Sequence, residues 1–152
     1  MFDPFRLQRL PYGEPYYNSN TMADYTSLMP DLEKIWVRQV RHSSVEDEGT
    51  GCFLSTYSPA KRTSGYTQVR FKGTKYYCHI VAAMVRHGRA PAKGEEASHL
   101  CNNPVCVNPD HLVFESGDEN KSRLCCKIYG HVEGYKCPHR AAPCLGCKWL
   151  YE

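Results

Sequence analysis

Between Ser98 and Asn120 the chain reads SHLCNNPVCVNPDHLVFESGDEN, and five side chains in this run are suited to chemistry. Cys101, Cys106 and His111 are spaced C-x4-C-x4-H. Zinc takes four soft or borderline ligands in a tetrahedron, and a site closed by protein ligands is structural. The turn formers Asn102, Asn103, Pro104, Asn108 and Pro109 lie between the ligands and let a short loop wrap one ion. The fourth ligand has to come from elsewhere, and Cys52 is preferred to Cys78. His99 and Asn120 bracket this loop. Taken singly, His99 reads as a buried histidine and Asn120 as a helix cap. Together, flanking a zinc loop, they favour catalysis.

A second group, Cys125, Cys126, Cys137, His139, Cys144 and Cys147, lies in a Gly- and Pro-containing tail. Cys126, Cys137, His139 and Cys144 are the preferred zinc ligands, with Cys125 and Cys147 as competitors. Little hydrophobic sequence follows Leu124, so metal binding has to supply the folding free energy of this tail, roughly 10 kcal/mol or more for a structural zinc.

The elements that must position these residues can be sketched from periodicity. Residues 1–27, rich in Tyr, Pro, Asn and Ser, read as an extended N-terminal arm, and residues 28–152 as one domain. MPDLEKIWVRQVRH reads as a helix, with Pro30 and Asp31 in its first turn and Leu32, Ile35, Trp36 and Val40 as its apolar stripe. Residues 43–51 read as an acidic turn. CFLSTYS, GYTQVRF and TKYYCHI alternate as strands do and predict a three-stranded antiparallel sheet with basic turns. His79–His87 reads as a short helix stopped by Gly88 and Pro91, and neither of its histidines is given a functional role.

Nine cysteines is an odd number, which rules out a fully paired disulfide framework within one chain. The N-terminus has no apolar run of signal-peptide type and no segment approaches a membrane span, so thiols and metal binding are expected rather than disulfides. The net charge of +3 is uninformative, but its distribution is not. No Asp or Glu occurs between Gly51 and Gly94, where Lys61, Arg62, Arg70, Lys72, Lys75, Arg86, Arg89 and Lys93 all fall. Such a zone is the footprint expected for a phosphate backbone.

SHLCNNPVCVNPDHL followed by DENKSR resembles the His-Cys box of intron-encoded homing endonucleases, densely from about Ala97 to Arg123 and more loosely through the Cys137-Pro138-His139 tail (124–147) and back to Gly49. The resemblance implies a small zinc-stabilised α+β domain, loop-rich with few short helices. It would carry an antiparallel sheet and a ββα-metal motif that cuts DNA with one divalent ion. It implies His99 as the general base, Asn120 as the Mg²⁺ ligand, and Arg70 as the contact to the scissile phosphate, with Arg62 or Lys72 able to serve instead. It also implies two structural zinc ions per chain: Cys52, Cys101, Cys106 and His111 hold one, and Cys126, Cys137, His139 and Cys144 the other. The last gap of the second set is one residue longer than the family pattern, which keeps Cys147 in play.

The expected function is site-specific hydrolysis of double-stranded DNA by a homodimer that makes double-strand breaks, at an intracellular, nuclear location. Gln68, Arg70, Lys72, Lys75 and Arg62 are the candidate DNA contacts. Only eight residues follow Cys144, so any exchange of tails between subunits would be short. The alternatives are a zinc-stabilised DNA-binding module that does not cleave, and a less selective nuclease.

Overall fold

The computed structural model describes residues 24–147 except 62 and 64. Most of the expected N-terminal arm lies outside these residues, but its last part does not. Tyr25–Asp31 form 3-10 turns, capped by the Asp24 carboxylate, which accepts from Thr26 N at 3.1 Å. Helix α1 (Leu32–Ile35) and a π-helical stretch (Trp36–Arg41) continue the same rod. Leu32, Ile35 and Val40 are buried as the stripe requires, with Trp36 packed against the core. Tyr25 is also buried, and its hydroxyl accepts from Tyr77 N at 2.9 Å, which packs the end of the expected arm against the core.

The fold is α+β, with three two-stranded antiparallel sheets among the described residues in place of one three-stranded sheet. Strand β1 (Ser44–Glu46), inside the stretch expected to be an acidic turn, pairs with β2 (Phe53–Ser55). The other edge of β2 is occupied by the zinc loop: Ser55 N donates to Val105 O at 3.2 Å and Val107 N to Phe53 O at 2.8 Å. Those bonds leave no edge of β2 for the strand that follows. Strands β3 (Gln68–Phe71) and β4 (Thr74–Tyr77) instead form a hairpin of their own. Its two-residue turn is Lys72-Gly73, both at positive φ, a conformation matched to strand twist that glycine adopts freely.

Helix α2 (Cys78–His87) follows at once and is the centre of the core, with Cys78 to Met84 all buried. It ends at Gly88 in the left-handed conformation, whose N–H caps Met84 O at 2.8 Å. Strand β5 (Glu95–His99) pairs with β6 (Leu112–Ser116), and helix α3 (Gly117–Tyr129) leaves β6 directly. This is the ββα unit. Alternation along the ribbon divides its side chains between two helices. Ala97 joins the core built on α2, while Glu96 and Glu115 reach α3. A separate small core of Cys126, Cys137, Cys144 and Cys147 closes the C-terminal tail.

Candidate active site and metal centres

The first zinc group is assembled from three places in the chain. Cys52 precedes β2, Cys101 and Cys106 lie in the β5–β6 loop, and His111 ends a short 3-10 turn (Pro109–His111). Asn108 fixes the approach of the distant ligand: its Nδ2 donates to Gly51 O at 2.7 Å, while its Oδ1 accepts from Asp110 N at 3.0 Å. Zn–S bonds of about 2.3 Å and Zn–N bonds of about 2.05 Å in a tetrahedron separate sulfur from nitrogen by about 3.6 Å and two sulfurs by about 3.8 Å. Cys52 Sγ and Cys106 Sγ lie 3.6 and 3.5 Å from His111 Nδ1. These are the edges a zinc tetrahedron needs. Cys78, the rejected fourth ligand, is buried in the main core. Hydrogen bonding from Cys101 is the chief influence that holds the Cys106 thiol below the ordinary thiol range, so one member of the group is readily a thiolate, the form that binds metal.

The second group is Cys126, Cys137, His139 and Cys144, all buried. His139 Nδ1 lies 3.4 Å from Cys126 Sγ, 3.4 Å from Cys137 Sγ and 3.6 Å from Cys144 Sγ, and the first two sulfurs are 3.7 Å apart. This set also fits one zinc. Helix α3 supplies its supports from one face, since Ser122, Arg123 and Cys126 are three and four residues apart. Ser122 has one hydroxyl proton, which it donates to Glu119 O at 2.7 Å. It therefore accepts from His139 Nε2–H at 2.6 Å, which leaves the Nδ1 lone pair facing the thiols. Cys125 is turned about 100° away on the helix and is not in the group. Cys147 is buried beside it and is not among the four either.

Arg123 locks this centre to the ββα unit. Its Nε and Nη2 donate to the two Glu115 oxygens at 2.6 and 2.8 Å, and its Nη1 reaches Ala142 O at 2.9 Å and Cys144 Sγ at 3.1 Å. Burial pushes the Glu115 carboxyl up, and the hydrogen bonds and charge of Arg123, together with smaller effects of Ser98 and His139, outweigh that and hold it below the usual carboxylate range. Breaking a buried pair leaves an uncompensated charge, so Arg123→Met is expected to lower stability by about 3–5 kcal/mol in urea unfolding of the zinc-loaded protein. Adding Glu115→Leu should recover most of that loss. Equal instability of the single and double variants would show that the stranded carboxylate is not the cause.

His99 is the last residue of β5 and is 8 % exposed. Its Nε2 lies 2.8 Å from Cys106 O. A carbonyl can only accept, so Nε2 carries the proton and Nδ1 of the neutral ring keeps its lone pair. Burial pushes the imidazole down to about 4, against a smaller upward effect of the Cys106 carbonyl, and the ring is neutral near pH 7. The rings of His79 and Tyr66 lie 5.3 and 6.0 Å from it, centre to centre. His79 is therefore a buried structural neighbour of His99 and not a surface residue.

Asn120 lies in the first turn of α3. Capping there falls to Ser116, whose hydroxyl accepts from Glu119 N at 3.2 Å, so the carboxamide has another task. Its Nδ2 donates to Glu96 Oε2 at 2.7 Å. Arg70, on the exposed side of β3, donates from Nη1 to Gly73 O at 3.1 Å within its own turn. Its cross-strand neighbour Lys75 and the turn residue Lys72 are also exposed, Lys72 lying 3.7 Å from Asp31, and Gln68 is half-buried. Arg62 lies outside the described residues. Sequence reasoning did not identify Glu96, Ser122 or Glu115. The only available signal was their position relative to residues already chosen, such as the i, i+4 spacing of Ser122 and Cys126.

A ββα unit with a tautomer-fixed histidine and two Cys/His groups of four has a counterpart among known families. Residues 51–150 match the model of the zinc-binding loop region of homing endonuclease. The match covers about two thirds of the chain and both metal groups, and the chain belongs to that family. Protein 2.8 of Escherichia phage T7 is 36% identical over 89 residues, which are 57% of this chain and 58% of that protein. The chain thus spans little more than half the length of this relative. No solved structure matches it. The family is defined by its zinc-binding loop region, and each of the two Cys/His groups can hold zinc. Among the described residues no helix is long and apolar enough to cross a membrane.

Proposed function

We propose that this protein is a DNA endonuclease in which His99 is the general base. The observation that carries the proposal is the 2.8 Å bond from His99 Nε2 to Cys106 O, because it leaves Nδ1 unprotonated and fixed. In the proposed step a water oxygen attacks phosphorus, its proton passes to His99 Nδ1, and the P–O3′ bond breaks. The products are a 5′-phosphate and a 3′ oxygen that takes a proton from solvent. Asn120 Oδ1, turned away from Glu96, is a hard oxygen ligand of the kind Mg²⁺ takes, and phosphate oxygens and water would complete the shell. When bound, a divalent cation there neutralises charge at the phosphate and on the departing oxygen.

Target choice is assigned to the β3–β4 hairpin, whose exposed Arg70, Lys72 and Lys75 suit phosphate contacts, with Gln68 at its base for a base edge. Arg70 is retained as the candidate for the scissile phosphate. Its guanidinium would have to exchange its Gly73 carbonyl for phosphate oxygens. Lys75→Ala is expected to weaken binding on every DNA sequence alike and to reduce the slope of log affinity against log salt by about one. An unchanged slope would remove Lys75 from the interface.

A double-strand break requires two active sites, so we assign a homodimer of homing-endonuclease type acting on a near-palindromic site. The test is incubation of supercoiled plasmid with the zinc-loaded protein, with Mg²⁺ and with EDTA. Nicked and linear DNA only with Mg²⁺ supports the proposal. DNA binding without cleavage on any substrate would favour a binding module, and heterogeneous cut ends a less selective nuclease.

A further inference from the structure

We propose that Glu96 is the positioning residue for Asn120, orienting its carboxamide so that Oδ1 faces the cation; this rests on the assignment of Asn120 as the cation ligand. An amide has two nearly isosteric ends, and only its hydrogen bonds decide which end points where. Asn120 Nδ2 lies 2.7 Å from Glu96 Oε2. A carboxylate accepts and does not donate, so the reverse orientation would set two oxygens against each other. The pairing is built into the ββα unit from two sides. Glu96 stands across from Glu115 on the ribbon, and alternation sends both toward α3, where Arg123 takes Glu115 and Asn120 takes Glu96. Gly117, the first residue of α3, leaves the space the carboxylate fills: a Cβ there would meet Glu96 Oε1 at 3.0 Å and Cδ at 3.4 Å. Glu95, the neighbouring acid, faces the other way and pairs with Arg89 at 2.7 Å. Glu96 is therefore selected by position and not merely by composition.

The proposal predicts that acceptance of the hydrogen bond matters and that the negative charge is secondary. Glu96→Gln keeps an oxygen acceptor, and Glu96→Ala removes it. Mn²⁺ binding by the zinc-loaded full chain, followed by electron paramagnetic resonance, is expected to weaken about 10–100-fold in Glu96→Ala, as for other residues that orient a metal ligand. Binding in Glu96→Gln should stay within roughly threefold of the wild type. Gly117→Ala, which displaces the carboxylate without removing it, should weaken binding in the same direction. All variants should keep their zinc. Equal losses in Glu96→Ala and Glu96→Gln would make Glu96 a direct ligand or a charge partner and overturn the proposal, as would wild-type affinity in Glu96→Ala.

The nitrogen–proton resonances of the Asn120 carboxamide give a readout independent of cation and DNA. They should shift in Glu96→Ala and return toward wild type in Glu96→Gln, and resonances unmoved by Glu96→Ala reject the pairing. Failure of the nuclease proposal has a different signature, namely no Mn²⁺ site in the wild type that Asn120→Ala removes.

Discussion

Replacing His99 by alanine is expected to lower the rate of DNA cleavage by about 10²–10⁴-fold, the usual contribution of a positioned general base. Zinc content, fold and DNA affinity should be unchanged. The separation is possible because His99 lies outside both metal groups, and its main polar contact uses a main-chain oxygen of a zinc ligand. The dependence runs one way. The first zinc group fixes Cys106, and Cys106 O fixes the His99 tautomer. Loss of Cys101, Cys106 or His111 should therefore abolish cleavage along with the loop, whereas loss of His99 should slow cleavage alone. The comparison is single-turnover cleavage with Mg²⁺, alongside zinc analysis and a DNA-binding isotherm for each variant. If His99→Ala sheds its zinc, the division between scaffold and chemistry is wrong. If it cuts as fast as the wild type, His99 is not the base.

The chemistry was more legible in the sequence than the sheet that carries it, and the reason is physical. Cysteine and histidine ligands have few uses in clusters, so C-x4-C-x4-H and the Cys137-Pro138-His139 run restrict the partners available to them. All eight preferred ligands fall into two groups of four that could each hold a metal ion, and Cys52, not Cys78, stands in the first. Strand pairing has no such restriction. The run Cys52–Ser58 looks like a strand that could join the next one, but its edges are taken by Ser44–Glu46 and by the zinc loop near Cys106. Ser44–Glu46 was hidden because it lies in an acidic stretch with the composition of a turn.

The support shell was hidden for a third reason. Nothing in Glu95-Glu96 distinguishes the two acids until alternation sends one to Arg89 and the other to Asn120. Nor does anything in DENKSR mark Arg123 as buried until its helix face is known. Such roles depend on three-dimensional partners from β5, β6 and the tail, and local sequence does not encode them.

Removing zinc from the second site is expected to unfold the chain beyond Leu124 while leaving the main core. Among the described residues the tail has no apolar core of its own: its buried cluster is Cys126, Cys137, Cys144 and Cys147, with Tyr135 packed alongside. Without an ion these thiols are a poor substitute for hydrophobic packing. Structural zinc contributes roughly 10 kcal/mol or more to such segments, far more than the few kcal/mol of the Arg123–Glu115 pair. The Arg123 contacts to Ala142 O and Cys144 Sγ and the Ser122–His139 bond all join α3 to the tail, so they should be lost together. Cys137→Ser, which weakens one ligand at nearly constant volume, should yield one zinc per chain by native mass spectrometry, against two for the wild type. It should also bring rapid amide exchange beyond Leu124 and slow exchange in α2. Two zincs in Cys137→Ser would mean that Cys147, buried beside the site, replaces the lost ligand, and Cys137→Ser with Cys147→Ser would then be the variant that empties it. Protection of the tail in that double variant would reject zinc as the source of its stability.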